Sequence, residues 1–211
     1  MTGPFTSLKR IKRKLFAGAS PVRHGTNCSY IFIHINKTAG TSIGNAIGLD
    51  VKQHLTAKEV ISRVGQEQWD SAYKFTFVRN PWDRAVSLYE YRRKKNKTQI
   101  ATKGIGFTEW VNYVFSDHPD PYFHNNPKSF QPQVEWLKDD NGRVTVDFVG
   151  RFESINKDFD RIKELTGSSA NLPHLNASKR TSYQSYYDAD TRALVHHWFH
   201  QDIALFGYSF D

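Results

Sequence analysis

The sequence predicts an α/β domain on a central, mostly parallel sheet, because three segments in succession pair a short apolar strand with a following helix. Tyr30 to His34 precede a helix beginning at Thr41, and Lys74 to Val78 precede a helix over Trp82 to Arg93. Val144, Val146 and Phe148 alternate as a third strand ahead of a helix whose apolar face is Phe159, Ile162 and Leu165, ended by Gly167. At 211 residues with 38% hydrophobic content, the chain has the size of one domain and enough apolar side chains for a full core.

The formal net charge of +8 predicts attraction to anions without distinguishing nucleotides, acidic sugars, nucleic acid or acidic lipid. Cys28 is the single cysteine, which excludes an intramolecular disulfide and favours a reducing compartment, so the expected location is the cytoplasm. No apolar run reaches the roughly 18 residues of a membrane span, and the apolar stretch after Lys14 is too short for a signal-peptide core. Residues 1–29 read as a basic N-terminal extension, in which Lys9, Arg10, Lys12, Arg13 and Lys14 interleave with Leu8, Ile11, Leu15 and Phe16. Residues 30–211 read as a single domain.

The first strand and helix enclose Asn36-Lys37-Thr38-Ala39-Gly40-Thr41-Ser42, a loop with one lysine, small residues that admit a ligand to the backbone, and hydroxyls at a helix start. That composition suits a phosphate. It is not a Walker A loop, because the lysine precedes the glycine, although an ordinary strand-to-helix turn has similar residues. In the second unit, FVRNPWDRAVSLY, Arg79 ends the strand, Pro81 sits where a helix can begin, and Ser87 lies about two turns further on, so both can reach one anion. Without such a ligand, Arg79 would serve as a capping or ion-pairing residue.

With both motifs about forty residues apart and in this order, the chain resembles the sulfotransferases that use 3′-phosphoadenosine 5′-phosphosulfate (PAPS). The resemblance runs from Tyr30 to about Tyr208 and includes the GRFESINKDFDRI passage and the DIALFGY pattern. It implies a three-layer, P-loop-like sulfotransferase fold and transfer of a sulfuryl group to an acceptor hydroxyl, most simply on a carbohydrate, leaving adenosine 3′,5′-bisphosphate. No metal is required by that chemistry. By the same resemblance, Lys37, Thr38, Ala39, Gly40, Thr41 and Ser42 bind the 5′-phosphate end, with Lys37 also catalytic. Arg79 and Ser87 hold the 3′-phosphate, and the late cations Lys179 and Arg180 close over it.

Thr56 and Glu59 form a capping-box pattern ahead of a short helix stopped by Gly65, and His54 stands just before it. A neutral imidazole in that connection can accept a proton from an attacking hydroxyl, and related glycan sulfotransferases use a histidine base in this interval. Surface histidines are common, and His34, His118, His124 and His174 compete for the role. After the second helix, the basic run Arg92, Arg93, Lys94, Lys95 and Lys97 complements a helix terminus, and a mobile continuation over Ile100 to Gly106 is expected to guide an acidic acceptor. Phe107 to Phe115 read as a helix, followed by a Pro/Asn-rich loop to Gln131 that shapes acceptor binding. Asp188 or Asp190 caps a last helix with Leu194, Val195, Trp198 and Phe199 inward. His196 and His200 are one turn apart, but no third ligand or HExxH glutamate accompanies them, so no metal site is expected. An atypical nucleotide kinase is disfavoured by the missing Walker A loop. A nucleic-acid-binding module rests on charge and aromatics alone, and no nucleic-acid partner is expected.

Overall fold

A computed structural model describes residues 21–25, 28–49, 53–172 and 182–211. Its sheet has four strands in the order β1 (Val22–His24), β2 (Ser29–Ile33), β3 (Tyr73–Val78) and β4 (Phe148–Arg151). β2 pairs with β3 and β3 with β4 in parallel, while β1 runs antiparallel to β2. Val22–His24, expected from sequence to lie in the basic extension, thus forms one edge of the sheet. Only Val22 of its three residues is buried, so it carries no alternation to read.

Alternate residues of the central strands face opposite ways. Tyr30, Phe32, Phe75 and Phe77 pack with Ile43 of α1 (Gly40–Ala46) and with Phe159 and Ile162 of α7 (Ile155–Thr166). On the other face, Ile31, Ile33 and Val78 meet Ala57 and Val60 of α2 (Ala57–Val64), Trp69 of α3 (Gln66–Ser71), Trp136 and Phe206. Helices therefore cover both faces of a mostly parallel sheet. A separate aromatic core joins α4 (Pro81–Lys94), α5 (Phe107–Phe115), α6 (Pro127–Phe130) and α8 (Ala189–Trp198).

Local signals account for most boundaries. Thr56 accepts from the Glu59 N–H while the Glu59 carboxylate accepts from the Thr56 N–H at 2.7 Å, and Gly65 closes α2. Asn80 caps α4 by accepting from Trp82 and Asp83, with Pro81 at the first position. Asp188, not Asp190, caps α8.

Three expectations need correction. Val144 and Val146 lie outside β4: the Asp140-Asn141-Gly142 turn folds Val144 back into an isolated antiparallel bridge with Lys138, and the sheet strand begins only at Phe148. The last helix is two, because the chain turns at buried Phe199 and resumes as α9 (His200–Phe206). The segment after α4 is built rather than mobile. Ile100 is fully buried, and the Asn96 carboxamide accepts from the N–H groups of Ala101 and Thr102, both at 3.1 Å. Asn96, Thr98 and Gln99 all have positive φ there, a conformation that these interactions must hold.

Candidate functional site

The loop between β2 and α1 is held from beneath. Lys37 and Ala39 adopt left-handed backbone with φ of 68° and 62°, each costing on the order of 1–3 kcal/mol unless the surroundings fix it. Fully buried Thr38 turns its hydroxyl inward to donate to the Ile35 carbonyl at 2.9 Å, leaving its backbone N–H as the group it can offer an anion. Arg84 of α4 donates to the Asn36 carbonyl at 3.2 Å and to Asn36 Oδ1 at 2.6 Å, and Asn36 Nδ2 donates to the Ser129 carbonyl at 3.1 Å. Burial pushes the Arg84 guanidinium down to about 10, so it stays charged at neutral pH. Gly40 is obligatory on steric grounds, since a Cβ there would fall 1.9 Å from the His34 ring. Beyond it Thr41 is exposed and Ser42 buried.

Arg79, at the end of β3, touches the same loop: its Nη1 donates to the Lys37 carbonyl at 3.2 Å, and its Nε to Asp83 at 2.7 Å. Its guanidinium lies 3.9 Å over the Phe152 ring, and burial pushes its pKa down to about 10 against the opposing pull of Glu153 and Tyr208. The backbone of Arg79 is gripped by Gln133, whose amide accepts from its N–H and donates to its carbonyl, both at 2.8 Å. Gln133 is fixed in turn by fully buried Asp202, which accepts from the N–H groups of Gln133 and Val134 at 2.7 and 2.8 Å. Glu153 accepts from the Asn80 N–H at 2.6 Å and from the Tyr208 hydroxyl at 3.1 Å, so the GRFE passage braces the second motif.

Asp83, Ser87 and Tyr91 recur at intervals of four along α4 and so share one face. Ser87 is half-buried there. At the far end of this row the Lys37 ammonium sits 4.6 Å from the Tyr91 ring centroid, and the Lys97 ammonium 5.1 Å from the same ring. The structure therefore brings Lys37, Arg79 and the Ser87 face of α4 around one loop. Lys179, Arg180 and His174 lie outside the described residues.

His54 meets the strand end that leads into the loop. Its Nδ1 is 3.1 Å from the His34 carbonyl, which selects the tautomer with the proton on Nδ1 and leaves Nε2 as the basic nitrogen. Its ring centroid is 4.1 Å from that of His34 and 6.2 Å from that of Trp136, which it meets edge-on. Burial depresses its pKa below 6.5, and the Lys128 and Lys37 charges add to this against the opposing His34 hydrogen bond. The other histidines are engaged differently. His34 is buried under His54, the Nδ1 of His124 pairs with the Val114 carbonyl at 3.0 Å, and His118 is exposed. His200 Nδ1 pairs with the His197 carbonyl and the His196 ring lies 6.0 Å from Trp82; no cluster of three metal-ligating side chains occurs among the described residues. Among these residues, too, no helix is long and apolar enough to cross a membrane.

Sequence reasoning missed Arg84, Gln133 and Asp202. Arg84 carried a signal: it is a cation one helical turn before Leu88, so it shares a face of α4 with a core residue. The Gln133–Asp202 pair carried none, its members lying 69 residues apart.

A profile of the sulfotransferase family matches residues 25–209. The chain is 25% identical over 170 residues to carbohydrate sulfotransferase 11 of Mus musculus, and equally so to that of Rattus norvegicus, covering 66% of this chain and 47% of each relative. It thus spans about half the length of these curated relatives. An uncharacterized protein of Archaeoglobus fulgidus is 28% identical over 108 residues, which is 50% of this chain and 77% of that one.

Proposed function

Because the chain belongs to the sulfotransferase family, we propose that it transfers a sulfuryl group from PAPS to a hydroxyl of a carbohydrate acceptor. The acceptor oxygen bonds to sulfur, the bond from sulfur to the bridging phosphate oxygen breaks, and that oxygen leaves with the electron pair on adenosine 3′,5′-bisphosphate. His54 Nε2 takes the acceptor proton. Lys37 meets the charge that grows on the leaving oxygen, an interaction stronger in the transition state than in the bound donor. The Thr38 to Ser42 backbone, with the hydroxyls of Thr41 and Ser42, receives the 5′-phosphate in the manner of a P-loop. Arg79 and Ser87, joined by Lys179 and Arg180, select the 3′-phosphate. Residues 22–211, which include the edge strand β1, make up the catalytic domain, and the single cysteine suits a cytoplasmic setting.

The observation that carries this reading is the convergence of acid–base and anion groups at one strand end. The His34 carbonyl orients His54 at 3.1 Å, and three residues later Lys37 enters a loop bonded to Arg79 at 3.2 Å. That proximity of a candidate base to a candidate anion-stabilising lysine along one chain segment supports the reading.

Calorimetry with nucleotides tests the donor assignment. Adenosine 3′,5′-bisphosphate is expected to bind far more tightly than AMP, and Arg79→Ala to weaken it by roughly 1.5–3 kcal/mol with AMP little affected. Equal affinity for the two nucleotides in the wild-type protein rejects the reading.

A further inference from the structure

Three rings stand in a near-parallel row at the end of β2. Phe32 stacks on Phe75 at 5.0 Å and 17°, and on His34 at 5.8 Å and 13°. Phe32 and His34 are two residues apart in extended chain and so face the same way, which places the imidazole at the end of a row rooted in fully buried Phe75.

The His34 ring is itself buried, and it meets two groups of the site. One is His54, whose ring centroid is 4.1 Å away and whose Nδ1 is 3.1 Å from the His34 carbonyl. Backbone and side chain of one residue therefore both hold the base. The other is Gly40, where the imidazole fills the space of a side chain: the three atoms that a Cβ there would meet first are Cδ2, Nε2 and Cγ of His34. Gly40 is not among the glycines with positive φ, so its backbone would accept alanine and the obstacle is the ring. In a close-packed interior such neighbours shift together or not at all. An anion received by the Lys37–Ser42 backbone fixes Gly40, Gly40 then limits His34, and His34 limits His54.

We propose that His34 is a positioning residue that links the donor loop to the base, its imidazole carrying the seat of Gly40 to the ring of His54, so that a bound donor sets His54 Nε2 for the acceptor hydroxyl. The assignment rests on the sulfuryl-transfer reading above and deepens it. Proton transfer stays with His54, and His34 leaves the list of rival bases.

The test uses the full chain with nitrogen-15 in its histidines and needs no acceptor. At pH 8, where imidazoles are neutral, the ring nitrogen shifts read the tautomer of His54, and the spectrum of His54→Ala assigns them. With adenosine 3′,5′-bisphosphate bound, the wild-type protein is expected to hold the single tautomer protonated on Nδ1, and His34→Ala to show both. Calorimetry adds a double-mutant cycle. Gly40→Ala should weaken the bisphosphate about tenfold or more in the wild-type background, where the ring must be displaced, and about threefold at most in the His34→Ala background, where the space is open. Gly40→Ala alone should also disturb the His54 signals, which keeps the proposal testable should His34→Ala not fold. Equal losses from Gly40→Ala in the two backgrounds overturn the proposal, as do unchanged His54 signals in either variant, while tight bisphosphate binding by the wild-type protein keeps the donor reading intact. Loss of bisphosphate binding by the wild-type protein removes both.

Discussion

Arg84 and Lys128 are cations that meet the same 127–131 segment, Arg84 through its carbonyls and Lys128 as one of its side chains, and they are held by opposite means. Arg84 is wholly buried, and its direct partners are neutral oxygens: the carbonyls of Asn36, Ser129 and Gln131 and the Asn36 carboxamide. Among the described residues no carboxylate hydrogen-bonds to it, and the buried Asp202 charge opposes the cost of its burial only at a distance. Lys128 stands at the edge of a groove with a carboxylate partner that water can reach. The contrast separates a fixed electrostatic floor, whose value lies in immobility, from a charge that can change partners. An anion common to every turnover suits the first kind of site.

The largest effect should come where the two regions meet. If His54 is the base, His54→Ala is expected to lower kcat by about 10²–10⁴-fold while the affinity for adenosine 3′,5′-bisphosphate stays near wild type. Stopped assays and calorimetry on the same preparation read both. Near-normal turnover in the folded variant would detach His54 from the chemistry.

Next in size is the response of stability. Arg84→Ala strips hydrogen bonds from the carbonyl and side chain of buried Asn36 and from the carbonyls of half-buried Ser129 and Gln131, and should cost on the order of 3 kcal/mol or more in a denaturant titration. Lys128→Ala should fall within roughly 0–1 kcal/mol, as exposed pairs do. Similar losses in the two variants would erase the distinction between floor and rim.

This division also marks what could be read from the chain. Lys37, Arg79 and Ser87 announce themselves because each sits at a fixed offset from a strand end or a helix start, and the Thr56–Glu59 capping box with Gly65 delimits α2 from three local residues. Groups that act through distant partners leave no such trace. Asp202 shapes the site by fixing Gln133, which grips the backbone of Arg79, and neither link has a sequence period. Glu59 shows the limit from the other side: its capping role is legible in the Thr56 spacing, whereas its pairing with Lys128, 69 residues away, follows only from the packing of α6 beside α2. The turn at Phe199 was hidden for a related reason, because an apolar run through Leu194, Val195, Trp198 and Phe199 fits one helix as well as two.

The smallest effect is a shift along the pH axis, and it tests whether rim and base communicate. Burial, then Lys128 and Lys37, hold the His54 pKa below its ordinary 6.5, opposed by the hydrogen bond to His34. A general base works in its neutral form, so the acid limb of the kcat/KM profile for the free enzyme should lie below pH 6.5, with activity persisting into mildly acidic solution. Stability carries the matching sign: the folded chain binds this proton less readily than the unfolded one, so His54 becomes destabilising as pH falls through 6.5. Removing one of the two cations in Lys128→Ala should move the limb upward, toward but not past 6.5, because burial and Lys37 remain. A limb at or above 6.5 in the wild-type enzyme would show that His54 is not the titrating base. An unmoved limb in Lys128→Ala would show that the groove's charge does not reach it.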